Sequence, residues 1–141
     1  MQMIITLEIK MKRILYYSII MGIFTMLFGS CQASQKIETV DSATFKERIS
    51  GASEVQLLDV RTAEEFAEGH LESAINIDVQ GPSFTKKVSE QLDKSQPIYL
   101  YCRSGKRSMM AAKELEKEGY SIVNLKDGIL GWLDAGYPVL K

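Results

Sequence analysis

The sequence predicts an α/β fold, a mainly parallel sheet with helices on both faces. Three observations carry this expectation. Short β-prone runs alternate with helical segments from Ile37 onward. Glycine stops (Gly51, Gly69, Gly119) and cap residues separate the segments. One run, Val55-Gln56-Leu57-Leu58-Asp59-Val60, is nearly continuous in apolar residues, as suits a strand buried on both faces. Strands alternating with helices make βαβ units, which assemble as a parallel sheet.

Taken in order, Ile37 to Val40 is the first strand. Asp41 caps a helix through about Ile49, its carboxylate accepting from free N–H groups of the first turn. The apolar run 55–60 is the second strand. Thr62-Ala63-Glu64-Glu65 has the form of a capping box and starts a short helix that Gly69 ends. Ala74 to Ile77 is a short strand, Gly81-Pro82 a turn, and Phe84 to Leu92 a helix. Pro97 to Tyr101 is a strand with its proline confined to the first position, where no ladder donor is lost. A tight loop, Cys102 to Arg107, leads to a helix over about 108–118. Ala111, Ala112 and Leu115 share one face of that helix. Ser121 to Leu125 is the last strand and Gly128 to Asp134 the last helix. No internal repeat or low-complexity segment interrupts this order.

Composition narrows the function classes. The chain has 141 residues, 45% hydrophobic and 25% charged, with net charge -1. These values suit one globular domain. A near-neutral balance argues against a nucleic-acid binder, whose footprint is strongly basic. Two cysteines and one histidine leave little for a structural zinc site and cannot build a disulfide framework.

The first thirty residues read as an address. Ile14 to Phe28 carries no charge and no proline, follows Lys10, Lys12 and Arg13, and ends in Gly29-Ser30-Cys31. A basic start, an apolar run and small residues at its end make a secretory signal. At about 1.5 Å per residue the run reaches roughly 22 Å, short for a bilayer core of about 30 Å. Leu27-Phe28-Gly29-Ser30-Cys31 resembles the lipobox of bacterial lipoproteins, with Phe28 where Leu is usual. That resemblance implies lipidation of Cys31 and cleavage before it. The expected organisation is a signal peptide over 1–30, with 1–10 read as a misassigned start before Met11. A tether follows over 31–36, and a domain over 37–141. The domain would face the periplasm or the exterior of a bacterial cell envelope, held to a membrane by the lipid. An uncleaved anchor and a plain cleaved signal are the alternatives. With Cys31 acylated, Cys102 would be the remaining free thiol.

The chemistry gathers in Cys102-Arg103-Ser104-Gly105-Lys106-Arg107-Ser108. In open parallel sheets, ligands sit at the carboxyl ends of strands. Cys102 lies at one such end, and Asp59 with Arg61 at another. Cys102 precedes a helix, whose free N–H groups and positive dipole end favour an anion. A short glycine-containing loop can curl its amides inward as a nest. Arg103, Lys106 and Arg107 add positive charge. Each effect favours the thiolate, the nucleophilic form of cysteine. The competing reading is an ordinary buried cysteine beside surface charge.

These residues resemble the active-site loop of rhodanese-like domains. Other segments agree in order. Leu58-Asp59-Val60-Arg61, Glu65-Phe66, Gly69-His70-Leu71 and Ala74-Ile75-Asn76-Ile77 resemble that family's N-terminal signature. Val123-Asn124-Leu125-Lys126-Asp127-Gly128 and Gly131-Trp132 resemble its C-terminal one, although the family often has two glycines where this chain has Asp127-Gly128. The resemblance spans roughly Ile37 to Leu140. It implies a five-stranded parallel sheet flanked by helices and a sulfurtransferase reaction without metal or organic cofactor. Cys102 would take sulfur from an anionic donor such as thiosulfate and hand it to cyanide or a thiol. Amides from Arg103 to Ser108, including those of Ser104, Gly105 and Lys106, would hold the terminal sulfur. Arg107, with Lys106 and Arg103, would orient the donor.

Spacing separates this reading from a rival. Cysteine-dependent phosphatases use C-x5-R, whereas Arg107 follows Cys102 as C-x4-R. The second hypothesis is a persulfide carrier or interaction module of the envelope without efficient turnover. Asp59 and Arg61 are read as supporting residues that tie loops together, with Arg61 paired to Glu65. His70 is read as structural, Trp132 as a core anchor, and Met109 and Met110 as packing. A monomer is expected.

Overall fold

A computed structural model describes residues 36–51 and 54–141, with positions 4, 8 and 10–12. The apolar run of the expected signal, Cys31 and the tether up to position 35 lie outside the described residues. Gln35–Lys141 is one compact unit. Among the described residues no helix is long and apolar enough to cross a membrane.

The elements follow the expected alternation. Strands are β1 (Ile37–Val40), β2 (Gln56–Asp59), β3 (Ile75–Asn76), β4 (Ile98–Tyr101) and β5 (Ile122–Leu125). Helices are α1 (Ser42–Gly51), α2 (Ala63–Glu68), α3 (Phe84–Gln91), α4 (Lys106–Lys117) and α5 (Gly128–Asp134). The sheet has five strands in the order β1-β5-β4-β2-β3. Every pairing is parallel. From β2 the chain moves outward to β3, and from β4 it moves the other way to β5. The topological switch therefore lies between the carboxyl ends of β2 and β4, where ligands bind in such sheets.

Side-chain alternation divides the core into two layers. Leu58, Ile98, Leu100 and Ile122 face α3 and α4, meeting Phe84, Val88, Ala111, Ala112 and Leu115. Leu57, Tyr101, Val123 and Leu125 face α1 and α5, meeting Phe45, Ile129 and Trp132. Phe45 is fully buried and stands edge-on to Tyr99 and Trp132, with ring centroids 5.7 and 6.4 Å away. Trp132 also donates its indole N–H to Pro138 O at 2.9 Å, as a buried indole requires.

Local signals explain the element ends. Asp41 Oδ1 accepts from Thr44 N at 2.8 Å and caps α1. Thr62 and Glu65 close the capping box at the start of α2 in both directions. The expected start of α4 near Ser108 is corrected: the helix begins at Lys106, because Gly105 at φ 95° turns the chain two residues sooner. Lys106 and Arg107 thus occupy its first turn instead of the preceding loop.

Phe45→Ala removes the aromatic wedge between α1, the sheet and α5. The expected loss is about 3–5 kcal/mol, measured by urea unfolding of the full chain. A loss under about 1 kcal/mol would mean that Phe45 does not organise this layer.

Candidate active site

Cys102 follows the last residue of β4 and is buried, with 1% exposure. It lies in the layer beneath α4. Gly105 N–H donates to Cys102 Sγ at 3.1 Å. Between the two, Arg103 and Ser104 are exposed. The N–H groups of Lys106, Arg107 and Ser108 open α4 and by position lack intrahelical acceptors. The segment from Cys102 to Ser108 therefore places one amide on the sulfur and opens a helix at Lys106.

The outer side of this loop is held by α5. Ile129 N–H donates to Cys102 O at 2.8 Å, and Leu130 N–H donates to Arg103 O at 3.1 Å. These contacts use orphan donors of α5 to draw loop carbonyls outward. Two glycines permit the fit. A Cβ on Gly105 would fall 2.1 Å from Lys126 O, and one on Gly128 would fall 2.4 Å from Arg103 O. Both have positive φ, 95° and 60°, where side chains are strained. Asp127, at φ −105°, needs no such freedom. A side chain is therefore tolerated where the family often has its first glycine.

Ser108 is fully buried, and its hydroxyl donates to Gly105 O at 3.1 Å. Its side chain thus braces the loop, while its amide remains at the helix start. Lys106 is exposed beside it.

Arg107 departs from the expected arrangement. Its guanidinium forms two 2.7 Å hydrogen bonds to Glu65 on α2. The expected Arg61–Glu65 pair is likewise corrected, since Glu65 belongs to Arg107 and Arg61 belongs to Asp59. The Arg107 fork is therefore engaged by a carboxylate, and Arg103 and Lys106 are the exposed cations of the segment. Those hydrogen bonds first, then the Thr62 amide and the Arg107 charge, bring the Glu65 carboxyl from its ordinary 4.5 to about 2 against opposing burial.

Asp59 and Arg61 lie across the switch point from Cys102, at the end of β2. Both are buried. Arg61 donates from Nε to both Asp59 oxygens at 3.0 Å, and from Nη2 to Asp59 Oδ2 at 2.6 Å. Nη2 also reaches Gly69 O at 2.7 Å. The guanidinium stands over the Tyr101 ring, 5.7 Å from its centroid. Tyr101 accepts from Leu71 N–H at 3.0 Å. Burial first, and then the Asp59 charge, push its phenol well above the ordinary range. Asn76 Nδ2 donates to Asp59 O and Arg61 O. This network ties the loop after β2 to the end of β4. His70 stacks on Phe66, with centroids 3.8 Å apart, and its backbone bridges to Leu140. Those contacts agree with its structural reading.

Sequence reasoning missed the Glu65–Arg107 pair, the α5 amides on the loop and the Tyr101 hydroxyl. Glu65 carried a capping signal, which masked its second role. The Asp127-Gly128 turn was the one sign that backbone approaches closely there.

A parallel α/β domain with a cysteine-centred anion loop at its switch point defines a class, and the comparisons place the chain in it. The rhodanese-like domain family matches residues 41–135. The chain is 37% identical over 97 residues to the putative sulfurtransferase YtwF of Bacillus subtilis, covering 69% of this chain and 91% of that protein. It is 31% identical over 105 residues to a sulfurtransferase of Allochromatium vinosum, covering 74% and 95%. The crystal structure of a rhodanese-like domain protein from Staphylococcus aureus is 27% identical with a TM-score of 0.63, covering 74% of this chain and 99% of that one. This chain belongs to the rhodanese-like domain family, and its sulfurtransferase relatives support sulfur transfer of the rhodanese type.

Glu65→Gln should cost about 1–2 kcal/mol at pH 7, given a pair mostly shielded from solvent. A lowered carboxyl value stabilises the fold above about pH 4.5, its ordinary value, and that gain fades as pH falls toward 2. Unfolding curves of wild type and variant should converge across this window. A gap independent of pH would assign the loss to packing instead.

Proposed function

We propose that the protein is a thiosulfate sulfurtransferase-like enzyme with Cys102 as nucleophile. The observation that carries this reading is the Gly105 N–H aimed at Cys102 Sγ at 3.1 Å. That N–H, with the amides at the start of α4, offers hydrogen-bond donors to the charge that a persulfide carries on its terminal sulfur. The thiolate attacks the outer sulfur of an anionic donor such as thiosulfate. The donor S–S bond breaks and sulfite leaves with the electron pair. The resulting Cys102 persulfide rests its terminal charge among the amides of Arg103 to Ser108. Cyanide or a thiolate then attacks the terminal sulfur, and the pair returns to Cys102 Sγ. This is two-step covalent catalysis. Preorganised amides supply charge stabilisation at no reorganisation cost.

Arg103 and Lys106, both exposed, attract the anionic donor. Arg107 acts from its Glu65 pair in the first turn of the helix that follows the loop. Asp59 and Arg61 hold the neighbouring loop and do not touch the sulfur. The chain-end reading is a lipoprotein-type signal with a lipid on Cys31, which would display the domain on the cell envelope.

The test is intact-mass measurement of the full chain after incubation with thiosulfate, beside Cys102→Ser. One added sulfur atom is expected on wild type alone, followed by thiocyanate release with cyanide. Loading without turnover would favour the persulfide carrier. No loading would overturn both readings and direct attention to aryl-phosphate hydrolysis. Separately, a fatty-acid label should enter wild type and be lost in Cys31→Ser; label retained in that variant would sink the lipoprotein reading.

A further inference from the structure

Beside the loop lies a cleft of about 610 Å³. It is a size that takes a small organic ligand, and it exceeds what cyanide needs. Ile129, Leu130, Leu133 and Val139 line its apolar side, and Arg103 connects it to the loop. Leu130 and Leu133 are 42% and 46% exposed and both line this cleft from one short helix. The charges at this cleft are not equivalent. Arg61 and Glu65 are spent on Asp59 and Arg107. Arg103 and Lys141, which also line the cleft, have no ion-pair partner among the described residues, and neither has Glu68, so the cleft's unpaired side chains are two cations against one carboxylate. An apolar wall beside an unpaired guanidinium, next to the sulfur-bearing loop, matches one ligand chemistry: a hydrocarbon arm that carries a thiol and an anionic group.

We propose that this cleft is the acceptor subsite, that the acceptor is a thiol with an apolar arm and a carboxylate, and that Leu130 and Leu133 determine its specificity. The inference rests on the sulfurtransferase reading. In the transfer step, the acceptor thiolate attacks the terminal sulfur of the Cys102 persulfide. The new bond is acceptor S–S and the broken one is Cys102 S–S, whose electron pair stays on Cys102 Sγ. The product is the acceptor persulfide, with no net oxidation. The arm lies on Leu130 and Leu133, and the carboxylate meets Arg103.

The experiment uses the full chain loaded from thiosulfate, with 3-mercaptopropionate, 6-mercaptohexanoate and 8-mercaptooctanoate as acceptors and cyanide as the armless one. The readout is the ratio of kcat/KM for the eight-carbon thiol to that for the three-carbon thiol, taken within each variant. Wild type should show a ratio of about tenfold or more, from the buried methylenes. Leu133→Asn and Leu130→Asn should each cut it at least about threefold, through KM, while Leu133→Met should keep it. Taking ratios within one protein cancels any general loss of folding or loop geometry. A flat series in wild type would overturn the proposal and leave the leucines to a protein partner. A steep series untouched by either asparagine variant would also overturn it. Failure of cyanide turnover would instead remove the sulfurtransferase reading itself, which keeps the two failures apart.

Discussion

The site depends on one backbone arrangement, the two hydrogen bonds from the start of α5 to the carbonyls of Cys102 and Arg103. A peptide group has a donor at one end and an acceptor at the other. Drawing the carbonyls outward leaves the loop amides facing the other way. The helix supplying those donors also needs them satisfied, because its first N–H groups have no intrahelical partner. One contact therefore meets both requirements. Its geometric condition is Gly128, where any side chain would strike Cys102 O or Arg103 O within 2.5 Å.

Around this backbone frame, the ion pairs serve the frame more than the sulfur. Positive residues at a helix N-terminus oppose its dipole, so Lys106 and Arg107 at the start of α4 call for compensation. Glu65 provides it for Arg107 and at the same time closes the cap of α2. One carboxylate thereby ties two helix starts together on either side of the switch point. The Asp59–Arg61 pair is more deeply buried. Such a pair repays its desolvation only when further hydrogen bonds occupy the remaining donors and acceptors. The Arg61 amide on Asp59 Oδ1 and Gly69 O on Arg61 supply those bonds. The result fixes the loop after β2 relative to Tyr101, the residue immediately before Cys102.

Much of this was legible in the residue order, and the part that was not has a physical reason. Alternation of β-prone and helical runs set the architecture, since periodicity and caps are local properties. Thr62-x-x-Glu65 marked the start of α2 for the same reason. The loop was legible as a cysteine between a strand and a helix with Gly105 nearby. Which charges pair was not legible. Arg61 has both Asp59 and Glu65 within reach along the chain, whereas the nearest acidic residue to Arg107 is Glu114, seven positions on, so only the fold assigns the partners. Glu65 and Arg107 are far apart in sequence and meet because β2 and β4 are neighbours in the sheet. The helix start at Lys106 was missed because it depends on the sign of φ at Gly105. The α5 donors were missed because backbone contacts leave little mark on side-chain choice, apart from Gly128.

On the proposed acceptor reading, α5 gives the fold a way to change its acceptor without changing its chemistry. The helix holds the loop with main-chain N–H groups, which any non-proline residue at 129 or 130 would supply. It faces the adjoining cleft with the side chains of Leu130 and Leu133, which are half exposed and carry little of the core. Ile129 and Trp132, on the same helix, are buried and fix its seat on the sheet. Support and the proposed recognition therefore fall on different atoms of one seven-residue element. Replacing a cleft leucine alters what lies beside the sulfur, whereas replacing Gly128 alters where the sulfur's amides point.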